Sequence, residues 1–138
     1  MFEEINRNCK RKEIMEKEFI PYQIAVDMKS IGFDEPCLGF YNIGGLFVSD
    51  YKVTKLQIDN LKLEKCCLAP TFSQANRFFI EKYNLYGTIR YGYNEFDKSV
   101  FLFPCINGIS GNDSFETQEE AELECLKKLI EIVKEKNQ

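Results

Sequence analysis

The sequence predicts an α+β fold, with helices packed on a mostly antiparallel sheet in the order α-ββ-α-ββ-α. Three observations predict it. Three windows repeat apolar residues every three or four positions, the period of a helix with one buried face. The stretches between them alternate apolar and polar residues or run apolar, as strands do. Proline, glycine and asparagine punctuate the joins. At 138 residues, with 44% hydrophobic and 14% aromatic side chains, the chain can bury a core without staples. The expected organisation is a charged arm or helix over residues 1–18 followed by one α+β domain over residues 19–138.

The first eighteen residues, MFEEINRNCKRKEIMEKE, scatter Phe2, Ile5, Cys9, Ile14 and Met15 among charges of both signs. Periodicity does not decide between a solvated helix and a frayed arm. Pro21 suits a helix start, and Ile24, Ala25, Met28 and Ile31 recur on one face. Gly32 supplies a left-handed stop, with Phe33 folding back on the last turn. CLGFYNIGGLFVSD (37–50) reads as a hairpin about an Asn-Ile-Gly-Gly turn. TKLQIDNLKLE (54–64) alternates at Leu56 and Ile58, so one or two further strands are expected there.

Pro70 opens the next helix, with Phe72, Ala75, Phe79 and Tyr83 on one face, Phe78 beside them and Asn84 as the cap. In LYGTIRYGYNEFDKSVFLFPCI, Ile89, Tyr91 and Tyr93 share one strand face. Residues 94–98 turn, and VFLFPCI returns as a buried strand. INGISGNDSFE (106–116) reads as a polar loop. TQEEAELECLKKLIEIVKEKNQ closes the chain as a helix. Thr117 and Glu120 cap it, Ala121, Leu126, Leu129, Ile130 and Val133 form its stripe, and the charges run from acidic to basic with the dipole. Two proline-led helices each followed by a strand pair allow an internal α-β-β duplication.

Composition removes several function classes. The chain has no histidine, and so no Ser-His-Asp triad, Cys-His dyad or histidine metal site. The net charge is −4, which argues against a protein that works by neutralising phosphates. Residues 113–138 hold eight acids against four lysines, while the rest of the chain balances. Six cysteines include no CxxC pair, so neither a metal centre nor a cofactor is expected. The N-terminus lacks the apolar core of a signal peptide, and no apolar run nears the ~20 residues of a membrane span. Reduced thiols and a cytoplasmic location, with no membrane association, are the expectation.

Candidate sites each carry an ordinary structural reading. Asp34-Glu35-Pro36-Cys37 sets two carboxylates beside a thiol, but nearby negative charge raises a thiol's pKa, the wrong direction for a nucleophile. Tyr86, Arg90, Tyr91 and Tyr93 interleave a base with aromatics, as base-stacking sheets do. RYGYNEF does not satisfy the ribonucleoprotein pattern, and such residues are more often core and rim. The loop bearing Asn107, Ser110 and Asn112 lies near a helix start and could cradle an anion. It has no Walker lysine, and an ordinary surface loop needs the same residues.

FIPYQIAVDMKSIGFDEPCLGFY, APTFSQANRFFIEKYNL and ETQEEAELECLKKLIEIVKEK together resemble a family of small uncharacterised proteins that recur in phages, prophages and chromosomes of Bacteroidetes and related gut bacteria. The family pattern runs Phe-Ile/Val-Pro-Tyr through Gly-Phe-Asp-Glu-Pro-Cys, then an Ala-Pro segment into a Gln-Ala…Trp/Phe-Phe…Glu-Lys-Tyr helix, then Thr…Glu-Glu-Ala-Glu…Cys-Leu…Leu-Ile-Glu. The likeness covers roughly residues 18–135 in order. This chain departs from it in the middle helix, at Thr71, Ser73, Asn76 and Phe78.

What the resemblance implies is context: a phage or mobile-element accessory protein that binds something of the host. The leading expectation is therefore a non-enzymatic binding module for a host protein or a small nucleotide-like ligand, including an anti-defence role. The alternatives are a nucleic-acid binder using the tyrosine-rich sheet face, and a small enzyme using Cys and carboxylate chemistry.

Overall fold

Helix α1, Tyr22–Ser30, is bounded by its own punctuation. Pro21, at φ −63° and ψ 160°, stands as the N-cap, one position before the helix, and its carbonyl accepts from the Ala25 N–H at 2.9 Å. At the other end Gly32 takes φ 95°. The Gly32 N–H donates to Lys29 O and the Phe33 N–H to Met28 O, the paired bonds of a Schellman stop. Ile24, Ala25, Met28, Ile31 and Phe33 are all buried, as their spacing predicts.

The computed structural model describes residues 17–61, 66–111 and 113–137. The arm expected over residues 1–18 falls almost wholly outside the described residues; Lys17 and Glu18 are helical. The fold is α+β. After α1 come β1 (Cys37–Asn42), β2 (Gly45–Val53), α2 (Lys55–Asn60), β3 (Cys67–Ala69) and α3 (Phe72–Tyr83). Then follow β4 (Gly87–Tyr93), β5 (Val100–Ile106), β6 (Ile109–Ser110) and α4 (Gln118–Lys136). The chain divides into two compact units, Met1–Phe72 and Ser73–Gln138.

The first unit holds an antiparallel sheet in the order β2-β1-β3. The β1–β2 hairpin turns at Ile43-Gly44, as the Asn-Ile-Gly-Gly signal predicts, with Gly45 at φ 109°. Its register then jumps, from Gly39 opposite Val48 to Cys37 opposite Val53, so β2 carries three extra residues in an irregular edge. One sheet face is closed by the segment before α1. The Phe19 ring lies over Gly39, where a Cβ would come within 2.7 Å of it. The Tyr41 hydroxyl donates to Ile20 O at 2.8 Å, and the Ile20 N–H donates to Pro70 O at 3.0 Å.

Residues 54–64 depart from expectation: α2 stands where strands are predicted. Thr54 and Gln57 form a reciprocal capping box, with Gln57 N donating to Thr54 Oγ1 at 3.2 Å and Thr54 N to Gln57 Oε1 at 2.9 Å. Of the apparent alternation only Ile58 is buried; Leu56 is exposed. Residues 62–65, the rest of that expected strand region, lie outside the described residues.

The second unit is a meander, β4-β5-β6, with α4 packed on β4 and β5. The described part of α4 buries Ala121, Cys125, Leu126, Leu129, Ile130 and Val133. Thr117 caps it by accepting from the Glu120 N–H at 3.2 Å. Gly87 lets β4 approach α4, since a Cβ there would come within 2.8 Å of Cys125 Sγ and 3.0 Å of the Leu129 side chain. Residues 106–116, expected as a loop, contain β6. Asn107 (φ 52°) and Gly108 (φ 83°) make the left-handed two-residue turn that pairs Ile106 with Ile109.

β6 is only two residues long for a reason in β5. Pro104 sits where the next β6 pair would need an N–H, and it has none. Beyond it, Leu102 and Phe115 exchange both backbone bonds as an isolated bridge, at 2.9 and 2.7 Å. Each unit contains a helix-strand-strand run, as a duplication would, but their third strands join differently, beside β1 in one and after β5 in the other.

Candidate functional site

The expected ligand residues all lie in the second unit. The β4–β5 ladder is regular over seven residues, from Gly87 opposite Ile106 to Tyr93 opposite Val100. Side chains directly opposite share a face. Ile89, Tyr91 and Tyr93 therefore lie with Pro104, Leu102 and Val100, the face that α4 meets at Gly87. Arg90 lies on the other face, opposite Phe103, with the Phe101 ring seated over Gly92 beside it. The structure thus separates Arg90 from Tyr91 and Tyr93. Arg90 is also the only basic residue between Lys82 and Lys98.

Tyr91 and Tyr93 are 69% and 58% exposed, and Val100 opposite Tyr93 is 55% exposed, so α4 leaves this end of the face uncovered. In the turn that follows, Phe96 is completely exposed. That turn is held by its own polar groups. Asn94 N donates to Ser99 O at 2.9 Å, and Phe96 N to Asn94 Oδ1 at 3.0 Å. The Ser99 N–H and hydroxyl both donate to Asp97 Oδ1, at 2.9 and 2.6 Å. The Ser99 hydroxyl, then its N–H, holds the Asp97 carboxyl below its usual range. Lys98 adopts φ 58° to close the turn. Phe96 is therefore displayed from a braced loop, at low ordering cost.

Asn107 has a structural task. Its N–H donates to Tyr86 O at 2.9 Å, and its side-chain oxygen accepts from Tyr86 N at 2.8 Å, which extends the ladder one pair past Gly87. Tyr86 is half exposed. Ser110 belongs to β6 and pairs with Cys105. Asn112 lies outside the described residues.

At Cys67 and Cys125 the thiol moves away from the depressed pKa that a nucleophile needs. All five described cysteines are buried. Burial pushes the Cys67 and Cys125 thiols up to about 11. Lys29 opposes the rise at Cys67, while Cys66 adds to it. At Cys125, neighbouring Cys105 adds to the rise and Lys128 opposes it. The Cys37 thiol donates to Glu35 O at 3.3 Å, a backbone contact, and Asp34 is exposed. Among the described residues no cluster of three or more potential ligands could hold a metal ion, and no buried side chain is polar or charged. A cleft between α1, α2 and β3, lined by Lys29, Phe33, Ile58 and Cys67 among others, encloses about 10 Å³, room for about one water.

The exposed turn phenylalanine was legible in one respect. Asn-Glu-Phe-Asp-Lys-Ser is a polar turn with one large apolar residue in it, and such a residue has no core to reach. No family model, curated protein or solved structure matches this chain. No described helix is long and apolar enough to cross a membrane.

Proposed function

We propose that the chain is a non-enzymatic binding module that engages a partner protein through the end of the β4–β5 hairpin. The observation that carries this reading is Phe96, completely exposed on a turn that is braced by hydrogen bonds and joins the strand ends bearing exposed Tyr93 and Val100. Isolated exposed apolar residues are ordinary, but a braced aromatic anchor next to further exposed aromatic and apolar residues has the composition of an interface hot spot. The raised thiols and the absence of histidine fit the non-catalytic part. The sequence resemblance makes the setting that of a phage or mobile-element accessory protein in the host cytoplasm, where an anti-defence role would follow from a partner that serves host defence.

Nucleic acid is the weaker reading, because a stacking platform needs cations beside its rings, and Arg90 lies on the opposite face from Tyr91 and Tyr93. The test is native mass spectrometry of protein purified gently from cells that express it, alongside Phe96→Asp. A stoichiometric protein adduct is expected on the wild type. The variant should lose it, with affinity reduced by about 2 kcal/mol or more, roughly thirty-fold. Its melting temperature should stay unchanged, since an exposed substitution moves stability by only about ±0.5 kcal/mol. A nucleotide-sized adduct, or a partner retained equally by Phe96→Asp, would refute the reading.

A further inference from the structure

Among the described residues each sheet ends in two edge strands, and three of the four are blunted. β2 carries the irregular register between Val48 and Val53, β3 is three residues long and β6 two. β4 differs. It is a seven-residue edge without bulge, lysine or proline, devices that normally guard such an edge. Its hydrogen-bonding direction follows from the ends of the ladder. Tyr86 O accepts from Asn107 N and Asn94 N donates to Ser99 O, so the even-numbered residues point their backbone groups at β5. The N–H and C=O groups of Gly87, Ile89, Tyr91 and Tyr93 point outward, and no described segment bridges to them.

We propose that this edge pairs with β4 of a second copy of the chain, antiparallel about a two-fold axis through Tyr91. Charge selects the register. Centring the pairing on Arg90 would set Arg90 directly opposite its own copy, like charges at the closest cross-strand spacing. Moving the axis to Tyr91 places Arg90 opposite Gly92 of the second copy, where the absence of a side chain leaves the Phe101 ring as its neighbour. In that register Tyr91 pairs with Tyr91, and Ile89 with Tyr93, each pair exchanging two backbone bonds. Association stops at two copies, because the far side of β5 is already taken by β6 and Phe115. At roughly 3.3 Å per residue, the two Tyr93 residues, offset by four positions, stand about 13 Å apart and each leads into its own Phe96 turn, so the dimer is a bivalent form of the module proposed above.

The experiment reads mass and cross-linking only, so it succeeds or fails independently of any partner at Phe96. Sedimentation equilibrium at tens of micromolar should give twice the 16.2 kDa chain mass. Tyr91→Pro removes only an outward N–H, and Tyr91→Lys sets like charges on the axis; both should sediment as monomers with unchanged circular dichroism. In a Cys9→Ser background, Tyr91→Cys should form an intermolecular disulfide on mild oxidation, since paired Cα atoms about 5.5 Å apart allow one. Ile89→Cys, offset by four residues, should not. A wild-type monomer, a dimer that survives Tyr91→Lys, or cross-linking at Ile89 in preference to Tyr91 overturns the proposal. A monomer would leave the edge for an extended segment of another protein.

Discussion

Asn107 combines two functions that single substitutions can separate. Its backbone is left-handed at φ 52°, and its side-chain oxygen accepts the Tyr86 N–H at 2.8 Å. Asn107→Gly keeps the first and loses the second, and should cost about 1 kcal/mol. Asn107→Ala loses both and should cost about 2 kcal/mol, adding the left-handed penalty of a Cβ. Urea unfolding of the two variants checks the order. At this scale sequence was partly sufficient. The alternation of Ile89, Tyr91 and Tyr93 was readable, and the same alternation puts Arg90 on the opposite face. Tyr86, by contrast, precedes the strand, and only the bond from Asn107, twenty-one residues away, registers it on the ladder.

Elements were legible where a local signal had one meaning. α1 and α4 carry buried faces at helical spacing with caps at the expected ends, and both formed. Residues 54–60 carried two signals, a short apolar alternation and a Thr-x-x-Gln capping box. The box prevails because it satisfies two backbone donors locally, while the alternation would bury Leu56, which the structure leaves exposed. Thr54→Ala should therefore cost about 1 kcal/mol and speed hydrogen exchange at the Gln57 amide. β6 was hidden for the opposite reason. Asn-Gly is a strong hairpin signal, but the returning strand, cut short by Pro104, is too brief to show a period.

For the whole molecule, one buried thiol in each unit links stability to pH. Cys67 and Cys125 ionise near 11 in the folded chain, against an ordinary 9.0, because burial disfavours the thiolate. A raised acid pKa means the folded state holds its proton longer than the unfolded state does. The contribution is complete below pH 9 and lost as pH rises from about 9 to about 11. Unfolding free energy should fall across that window, and Cys67→Ala with Cys125→Ala should flatten the fall relative to the parent, measured by urea denaturation at each pH. The native Cys67 and Cys125 thiols should also resist alkylation at neutral pH.

By itself the sequence determined the α+β class, the helix faces, the hairpin at Asn42 to Gly45 and the absence of histidine chemistry, because each depends on residue type or on spacing within one element. Tertiary structure alone decided which strands became edges, that Pro104 would halt β6, and that α4 would cover Gly87 while leaving Tyr91, Tyr93 and Phe96 in solvent. Those outcomes depend on which segments meet across long stretches of chain, and periodicity within a segment carries no information about its neighbours.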